Sequence, residues 1–483
     1  MPGFSRRLKV FEMKLINAIR MGGTEILPLV EGGKGVAVSN GISAGHWALA
    51  GGAGTFSAVN ADSYDKDGKI IPQIYRGRTR RDRHEELVAY GIEGGVAQAQ
   101  RAWDISGGKG RIHANILWEM GGAERVITGI LERTKGIVNG ITCGAGMPYR
   151  LAEIAARFNV HYYPIVSSSR AFSALWKRAY SKVSELLGGV VYEDPWLAGG
   201  HNGLSNSEDP SKPESPLPRL VALRKVMREF GLGDTPIIMA GGVWALEEWE
   251  DYIGNPDIGP IAFQFGTRPL LTKESPIPQS WKERLLKLKP GDVFLNRFSP
   301  TGFYSSAVNN DFMKELRARS DRQVAYSPEP VGEHVVEYGV GARKRSVYLT
   351  APDHARVKDW EEAGFTDALR TPDSTLIFVT PAKAEEIHED QVACMGCLSQ
   401  CRFSNWSQEG PDYDNGKKAD PRSFCIQKSL QAIAHAAPED EAALDDNLMF
   451  AGHNAHRFAT DPFYSNGFIP TVKELVDRIL TGK

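Results

Sequence analysis

Between about residues 25 and 275 the chain alternates two kinds of segment. One is a short run of apolar, β-branched and aromatic residues. The other is longer, with apolar positions recurring every three or four residues. The pattern predicts strands at 111–118, 136–143, 160–166, 189–192, 236–240 and 261–265, and helices between them at 123–134, 149–158, 170–187, 218–230 and 245–253. Strands that alternate strictly with helices form a parallel sheet, because each crossover returns the chain to the same end. Two earlier apolar segments bounded by glycine, 26–38 and 52–59, bring the number of strands near eight. Eight such units favour a closed (β/α)8 barrel over an open sheet. After about residue 275 the strict alternation stops.

Composition narrows the class without changing this picture. Hydrophobic residues make up 42% and charged residues 24%, too apolar for a disordered chain. Lysine and arginine number 57 against 59 aspartates and glutamates, a formal net charge of −2. That balance lacks the basic excess of a nucleic-acid-binding protein. The N-terminus carries charges with no apolar run behind them, and Lys14 and Arg20 interrupt the next stretch, so no signal peptide is expected. No apolar stretch reaches the roughly 18 residues of a membrane-spanning helix. The five cysteines are odd in number and uneven in placement, unlike a secreted disulfide framework. A cytoplasmic enzyme is the expectation.

Glycine adds candidate chemistry. Fifty glycines exceed the average share of roughly 7%, and many are paired, as in Gly51-Gly52, Gly199-Gly200 and Gly241-Gly242. Four segments fall at predicted strand C-termini, where barrel active sites are built. They are Thr142-Cys143-Gly144-Ala145-Gly146-Met147-Pro148, Ala198-Gly199-Gly200-His201-Asn202-Gly203, Ala240-Gly241-Gly242-Val243 and Gln264-Phe265-Gly266-Thr267-Arg268. The last two have the character of a phosphate cradle: glycine turns expose backbone N–H groups, and a following helix N-terminus favours an anion. A histidine after two glycines at a strand end suits a core poorly. As a neutral imidazole, His201 would hydrogen-bond a carbonyl or move a proton. The polar, proline-containing stretch 201–216 is expected to lie over the catalytic face as a lid. Five arginines between Arg76 and Arg83 read as a solvated loop and helix start.

In this order and spacing the segments resemble the nitronate monooxygenase (2-nitropropane dioxygenase) and enoyl-ACP reductase II family of FMN-dependent TIM barrels. The resemblance runs from about residue 25 to 320 and resumes at Phe450-Ala451-Gly452-His453 and Ile469-Pro470-Thr471, similar to the family's closing helix. Residues 198–203 match its Ala-Gly-Gly-His-x-Gly, 240–243 its phosphate loop, and 262–272 with Glu274-Ser275 its last-strand signature. The resemblance implies FMN, with the phosphate held by Gly242, Gly266 and Thr267, Gln264 near the ring system, and Asn115 and Gly203 along the flavin. Gly32, Gly33, Gly200, Gly241 and Phe265 complete the implied cofactor contacts, and His201 is the implied catalytic residue. Two departures matter. Nitronate monooxygenases place a catalytic histidine at the end of the fourth strand, where this chain has Thr142-Cys143-Gly144-Ala145-Gly146, closer to the enoyl reductase branch. Cys143 itself reads as a small buried residue. The acidic residue common just before Ala-Gly-Gly-His is Leu197, with Glu193 and Asp194 upstream.

Cys394-x2-Cys397-x3-Cys401 is followed, after 23 residues, by Cys425. Four thiolates with tight early spacing and one distant partner suit a [4Fe–4S] cluster. A structural zinc is the alternative, and free thiols a third. Plain barrels of the resembling family lack this segment. The expected organisation is therefore an extension at 1–24, an FMN-binding barrel at 25–329, a cysteine-containing insertion at 330–440, and a helical segment at 441–483 packing back on the barrel.

Three functions are expected, in this order. The first is an FMN reductase of an activated double bond in a small-molecule or acyl-thioester substrate, fed by NAD(P)H or an electron-donor protein. The missing fourth-strand histidine and the cysteines favour it. The second is nitronate monooxygenase, oxidising alkyl nitronates with O2. The third is a non-catalytic flavoprotein electron-transfer subunit. No Gly-x-Gly-x-x-Gly opens a βαβ unit, which leaves the reductant unread. Neither nucleic acid nor membrane is an expected partner; a homodimer is.

Overall fold

The computed structural model describes residues 17–482. At its centre eight parallel strands close into a barrel. They are β1 (Leu29–Glu31), β2 (Ala53–Ser57), β3 (Arg111–Leu117), β4 (Gly140–Gly144), β5 (His161–Val166), β6 (Val190–Glu193), β7 (Ile237–Ala240) and β8 (Ile261–Phe265). Closure comes from β8 pairing with β1, Gln264 opposite Val30. All eight strands overlap the segments predicted from the apolar runs. Alternation decides what each strand faces. Val30, Ala53, Tyr163, Val191, Ile238, Ala240 and Ala262 fill the barrel interior. Their neighbours Leu29, Tyr162, Val190, Tyr192 and Phe263 pack outward into the helix layer.

Six helices follow the first six strands: α1 (Gly41–Leu49), α2 (Arg80–Ile105), α3 (Ala123–Arg133), α4 (Leu151–Phe158), α5 (Ser169–Arg178) and α6 (Pro216–Glu229). Four of the six starts are fixed by a side-chain cap or a first-turn proline. Asn40 accepts from Ser43 N at α1 and Ser168 from Ala171 N at α5. Thr79 and Asp82 form a reciprocal capping box at α2, and Pro216 opens α6, where a missing N–H costs nothing. On α3 Val126, Ile127, Ile130 and Leu131 make the buried stripe, while Arg125 and Arg133 face solvent and pair with Glu85 and Glu93 of α2. Helix α1 lies so close to β2 that a Cβ on Gly54 would stand 1.7 Å from the Ala44 carbonyl oxygen.

Two predicted helices differ. Residues 245–253 form only a four-residue 3-10 turn, Leu246–Trp249. Only Leu246 and Trp249 turn into the core there, and Gly254 and Pro256 end the run. The 170–187 helix breaks at Ala179 into a 3-10 segment, Tyr180–Leu186, as the Tyr180 hydroxyl turns in to reach the Pro148 carbonyl at 2.8 Å. After β8 there is again only a 3-10 turn, Arg268–Leu271. A C-terminal helix, α7 (Val472–Thr481), packs on α1 and closes the outer ring. It is fixed by a Thr471–Glu474 capping box and by Val472 N donating to Glu274 Oε2 at 2.9 Å.

Between β8 and α7 the chain builds the structure over the barrel's C-terminal end. A ribbon pairs Val293–Asn296 with Ser305–Val308, and the latter with Gly200–His201. Residues 323–392 contain a small α/β unit with its own core of Val324, Val347, Leu349, Val357, Leu376 and Phe378. The cysteine-bearing segment after it joins the main core through Leu398, Phe403 and Trp406. Among the described residues no helix is long and apolar enough to cross a membrane.

Candidate active site

A cavity of about 470 Å³, within the usual size of a small-molecule site, opens at the C-terminal ends of the barrel strands. Small residues make the room: Gly32, Gly144 and Ala240 stand on the inner wall where larger side chains would fill it. Of the residues expected to hold a cofactor, Gly32, Gly33, Asn115, Gly200, Gly203, Gly241, Gly242, Gln264, Gly266 and Thr267 all line this space, as does His201. Phe265 does not. Its neighbours Gln264 and Gly266 point inward, so strand alternation sends its ring into the helix layer, stacked on Trp47 with centroids 6.2 Å apart. Only its backbone reaches the site's floor, the carbonyl accepting from Gly32 N at 2.8 Å.

The glycines divide by what demands them. Gly241 and Gly242 adopt φ of +83° and +78°, the left-handed region, and a Cβ on Gly242 would meet Leu197 Cδ1 at 2.6 Å. At Gly33 it would strike Asn115, and at Gly203 Ser167 Oγ. Gly266 is different: nothing lies within 4 Å of an added Cβ. Its bareness leaves open space rather than making room for a protein neighbour. Gly266→Leu is therefore expected to fold with stability within about 0.5 kcal/mol of the parent. The same variant is expected to lose most of its bound flavin, read as the flavin-to-protein absorbance ratio after dialysis. The helix N-terminus expected beside these turns is not built, because β7 and β8 are each followed by a four-residue 3-10 turn. An anion there would rest on backbone N–H groups of the glycine turns alone.

His201 sits on the short strand paired with Ser305–Ser306. Its Nε2 and Ser299 Oγ are 2.5 Å apart, and Ser299 Oγ lies 2.9 Å from Thr301 Oγ1. The ring meets Phe450 edge-on at 5.4 Å. Burial lowers its pKa to about 4, so it is neutral at pH 7. Five buried polar atoms on cavity-lining residues have no partner among the described residues: Asn60 Oδ1, Asn202 Nδ2, Gln264 Oε1, Trp281 Nε1 and Gln427 Nε2.

Sequence reasoning missed several residues of the wall and the layer behind it. Glu31 and Lys34 form a buried pair at the end of β1, with Nζ 3.5 Å from Oε1 and 2.7 Å from the Gly32 carbonyl; Ser43 Oγ donates to the same carboxylate at 2.6 Å. Of this pair only Lys34 lines the cavity, and Glu31 lies behind it. Glu193 lines the cavity from the end of β6. Gly452 N donates to Thr267 Oγ1 at 3.2 Å and Asn454 Nδ2 to the Gly242 carbonyl at 2.6 Å, so residues 450–454 strap the glycine turns from above. Asn202, Gly203, Leu204 and Ser205, at the start of the expected lid, also line the space.

The cysteine segment forms part of the roof. Gly121 N donates to the Cys397 carbonyl at 3.0 Å and Ser399 N to the Glu119 carbonyl at 2.7 Å. Arg80 donates to Asn405 Oδ1 and the Ser404 carbonyl, and Arg83 to the Cys394 and Val392 carbonyls. The arginine run is thus solvated only in part: Arg76, Arg78 and Arg81 are exposed, but Arg80 and Arg83 are clamps. Cys397 reaches the cavity wall, whereas Cys394 Sγ accepts from Ser404 Oγ at 3.1 Å and Gly396 N at 3.4 Å. Burial, with the other thiols adding, pushes Cys401 up to about 11 and Cys425 up to about 12, and raises Cys397 well above an ordinary thiol. Among the described residues no three histidine, cysteine or acidic side chains are arranged to hold a metal ion. The expected [4Fe–4S] cluster or zinc on Cys394, Cys397, Cys401 and Cys425 is therefore not supported, and no chemistry is assigned to it. Cys143 is fully buried, as a small core residue.

No protein-family model and no curated sequence matches the chain. Solved structures do. FabK from Thermotoga maritima is 14% identical at a TM-score of 0.47, over 94% of this chain and 91% of that chain. Nitroalkane oxidase from Streptomyces ansochromogenes is 18% identical at 0.42, over 60% and 79%. The enoyl reductase domain of MlnA, from the macrolactin biosynthesis cluster of Bacillus amyloliquefaciens, is 11% identical at 0.50, over 94% of this chain and 93% of that chain. The likeness to that domain spans nearly the whole of both chains, and it is a likeness of fold: this chain is an α/β protein built on the same closed barrel.

Proposed function

We propose that the chain is an FMN-dependent oxidoreductase that reduces an activated double bond in an enoyl-type substrate, fed by NAD(P)H or an electron-donor protein. The observation that carries this reading is a neutral imidazole, His201, held by Ser299 on the wall of a cavity floored by open glycine turns. The residues fit the cofactor: Gly266 leaves space that no protein atom uses, and Gln264 Oε1 and Asn202 Nδ2 are buried without partners. Gly242, Gly266 and Thr267 would hold the phosphate, with Gln264 and Asn115 beside the ring. When bound, FMN supplies hydride transfer.

The rest is the work of this chain's own side chains. A neutral imidazole N–H donates a hydrogen bond to a carbonyl and so stabilises the negative charge that grows there as the conjugated double bond is reduced. A group with a pKa near 4 is by contrast a weak base for taking a proton from a nitroalkane. At the end of β4, Thr142 and the buried Cys143 offer no other base. The enoyl reductase activity named for the MlnA domain accords with this preference. The test is anaerobic: purified protein should carry flavin absorption and oxidise NADPH, or accept electrons from a reduced carrier, when given crotonyl-coenzyme A. Uptake of O2 with an alkyl nitronate and no nicotinamide would overturn the reductase reading in favour of nitronate oxidation.

A further inference from the structure

Glu193 is the last residue of β6. Asp194, one step on, turns away from the barrel, its Oδ1 accepting from Trp196 N and Leu197 N at 2.9 Å to hold the next turn. Glu193 keeps the inward phase of Val191, two residues earlier in the barrel interior, and is half-buried with its open side on the cavity. In register it stands beside Ala240, and Ala240 beside Gln264. With neighbouring strands about 4.8 Å apart, the Glu193 and Gln264 backbones flank a gap of roughly 10 Å closed only by a methyl group. Gln264 brings an unpartnered carbonyl oxygen to one side of that gap, and Glu193 brings a carboxyl to the other.

The reductase reading needs an acid that His201 cannot be. A neutral imidazole donates a hydrogen bond but does not readily give up its remaining proton. We propose that Glu193 is the proton donor of this site, a carboxylic acid that protonates the carbon next to the substrate carbonyl. The inference rests on the reductase reading. Bound FMN, recharged by NAD(P)H or an electron carrier, would supply a hydride to the β-carbon, and the π pair would move toward the carbonyl. The O–H bond of Glu193 breaks as a C–H bond forms at the α-carbon. The carboxylate left behind takes a proton from solvent.

The surroundings keep Glu193 in the required form. Burial pushes its carboxyl up to about 8, and the Asp194 carboxyl adds to the rise. Among the described residues no cation opposes it: Lys34, on the same cavity, is committed to Glu31 and the Gly32 carbonyl. Glu119, Cys397 and His201 are the other titratable groups of the wall; His201 is uncharged at the working pH, and burial raises the Cys397 thiol well above its ordinary range. Two groups driven apart, a base toward 4 and an acid toward 8, mark the division of labour between hydrogen-bond donor and proton donor.

The experiment compares the unmodified holoprotein with Glu193→Gln, which keeps the shape and loses the acid. Flavin absorbance in the variant reports folding. Reoxidation of the reduced protein by crotonyl-coenzyme A in a stopped-flow instrument should slow by about 100-fold or more. The infrared difference between the two proteins should show the carbonyl stretch of one protonated carboxyl lost. That difference separates Glu193 from Glu31 and Asp194, whose carboxyls burial also raises. If the variant does not retain flavin, the unmodified protein decides, since its reoxidation rate must fall as pH rises through about 8. Reoxidation within twofold of the parent, an unchanged carboxyl band, or a rate flat across that range would overturn the donor role and leave the reductase reading standing. Failure of crotonyl-coenzyme A to reoxidise the unmodified protein would overturn the reductase reading, and the donor role with it.

Discussion

Replacing Arg268 by methionine should cost the protein about 2–4 kcal/mol of stability, because it takes the donor from the buried Trp244 carbonyl and Tyr464 hydroxyl and strips Asp461 of one of its two cations, Arg478 remaining. Arg268 is almost fully buried just after β8. Its Nε donates to the Tyr464 hydroxyl at 3.0 Å and its Nη1 to the Trp244 carbonyl at 2.7 Å. Asp461 faces its Nη2 at 3.7 Å, and the guanidinium lies over the Trp244 ring at 4.9 Å. One side chain thus joins the exits of β7 and β8 to the C-terminal segment. That segment carries Gly452 and Asn454, the strap over the glycine turns. A lower urea midpoint should therefore come with lost flavin in the same sample. Arg268→Lys keeps the charge but loses the forked geometry, and should fall between the two. An unchanged midpoint in Arg268→Met would refute the strapping role.

His201→Ala should leave flavin bound and slow turnover by about 100-fold or more. The imidazole contributes no packing that the fold depends on: it sits on a two-residue strand and touches Ser299 and Phe450 at the cavity rim. Its pH signature is as telling as the rate. An ordinary histidine would charge near pH 6.5. Burial depresses His201 to about 4, so the neutral form persists as pH falls and is lost only near that value. Activity that needs the neutral ring should accordingly be flat between pH 5 and 7 on its account and fall below. A break near 6.5 in kcat/KM, or turnover unchanged in the alanine variant, would remove His201 from the chemistry.

The barrel is legible in the sequence because its signal is periodic. Apolar runs of strand length repeat from β1 to β8, and the glycine turns after β6, β7 and β8 announce a floor. The helix expected after β7 is absent because two apolar residues at helical spacing, Leu246 and Trp249, also suit one 3-10 turn. Phe265 misleads because a motif names residues while a strand alternates them; inside a matched signature every second side chain faces away. Glu193 reads in the sequence only as an acid upstream of the glycines, since its inward phase depends on where β6 begins, which composition does not fix. Glu31 with Lys34, and Asn454 with Gly242, are invisible there for a plainer reason. The first pair depends on a loop folding back, and the second on a contact between distant parts of the chain. The cysteine spacing is legible, but spacing alone does not set where sulfurs point, and Ser404 and Gly396 engage one of the four.

The closing helix has a consequence for how the molecule is made. Helix α7 packs on α1, so the barrel's outer ring joins residues near the two extremes of the described chain. During synthesis the eight strands leave the ribosome long before their last partner exists. Until residues 450–481 have emerged, the glycine turns have no strap, and the part of α1 that α7 covers stays open. Such long-range closure is slow to form, and the half-made barrel is the species most exposed to aggregation. Cofactor capture must then wait for residues 450–481, and slow codons or a chaperone would matter most while they are being made.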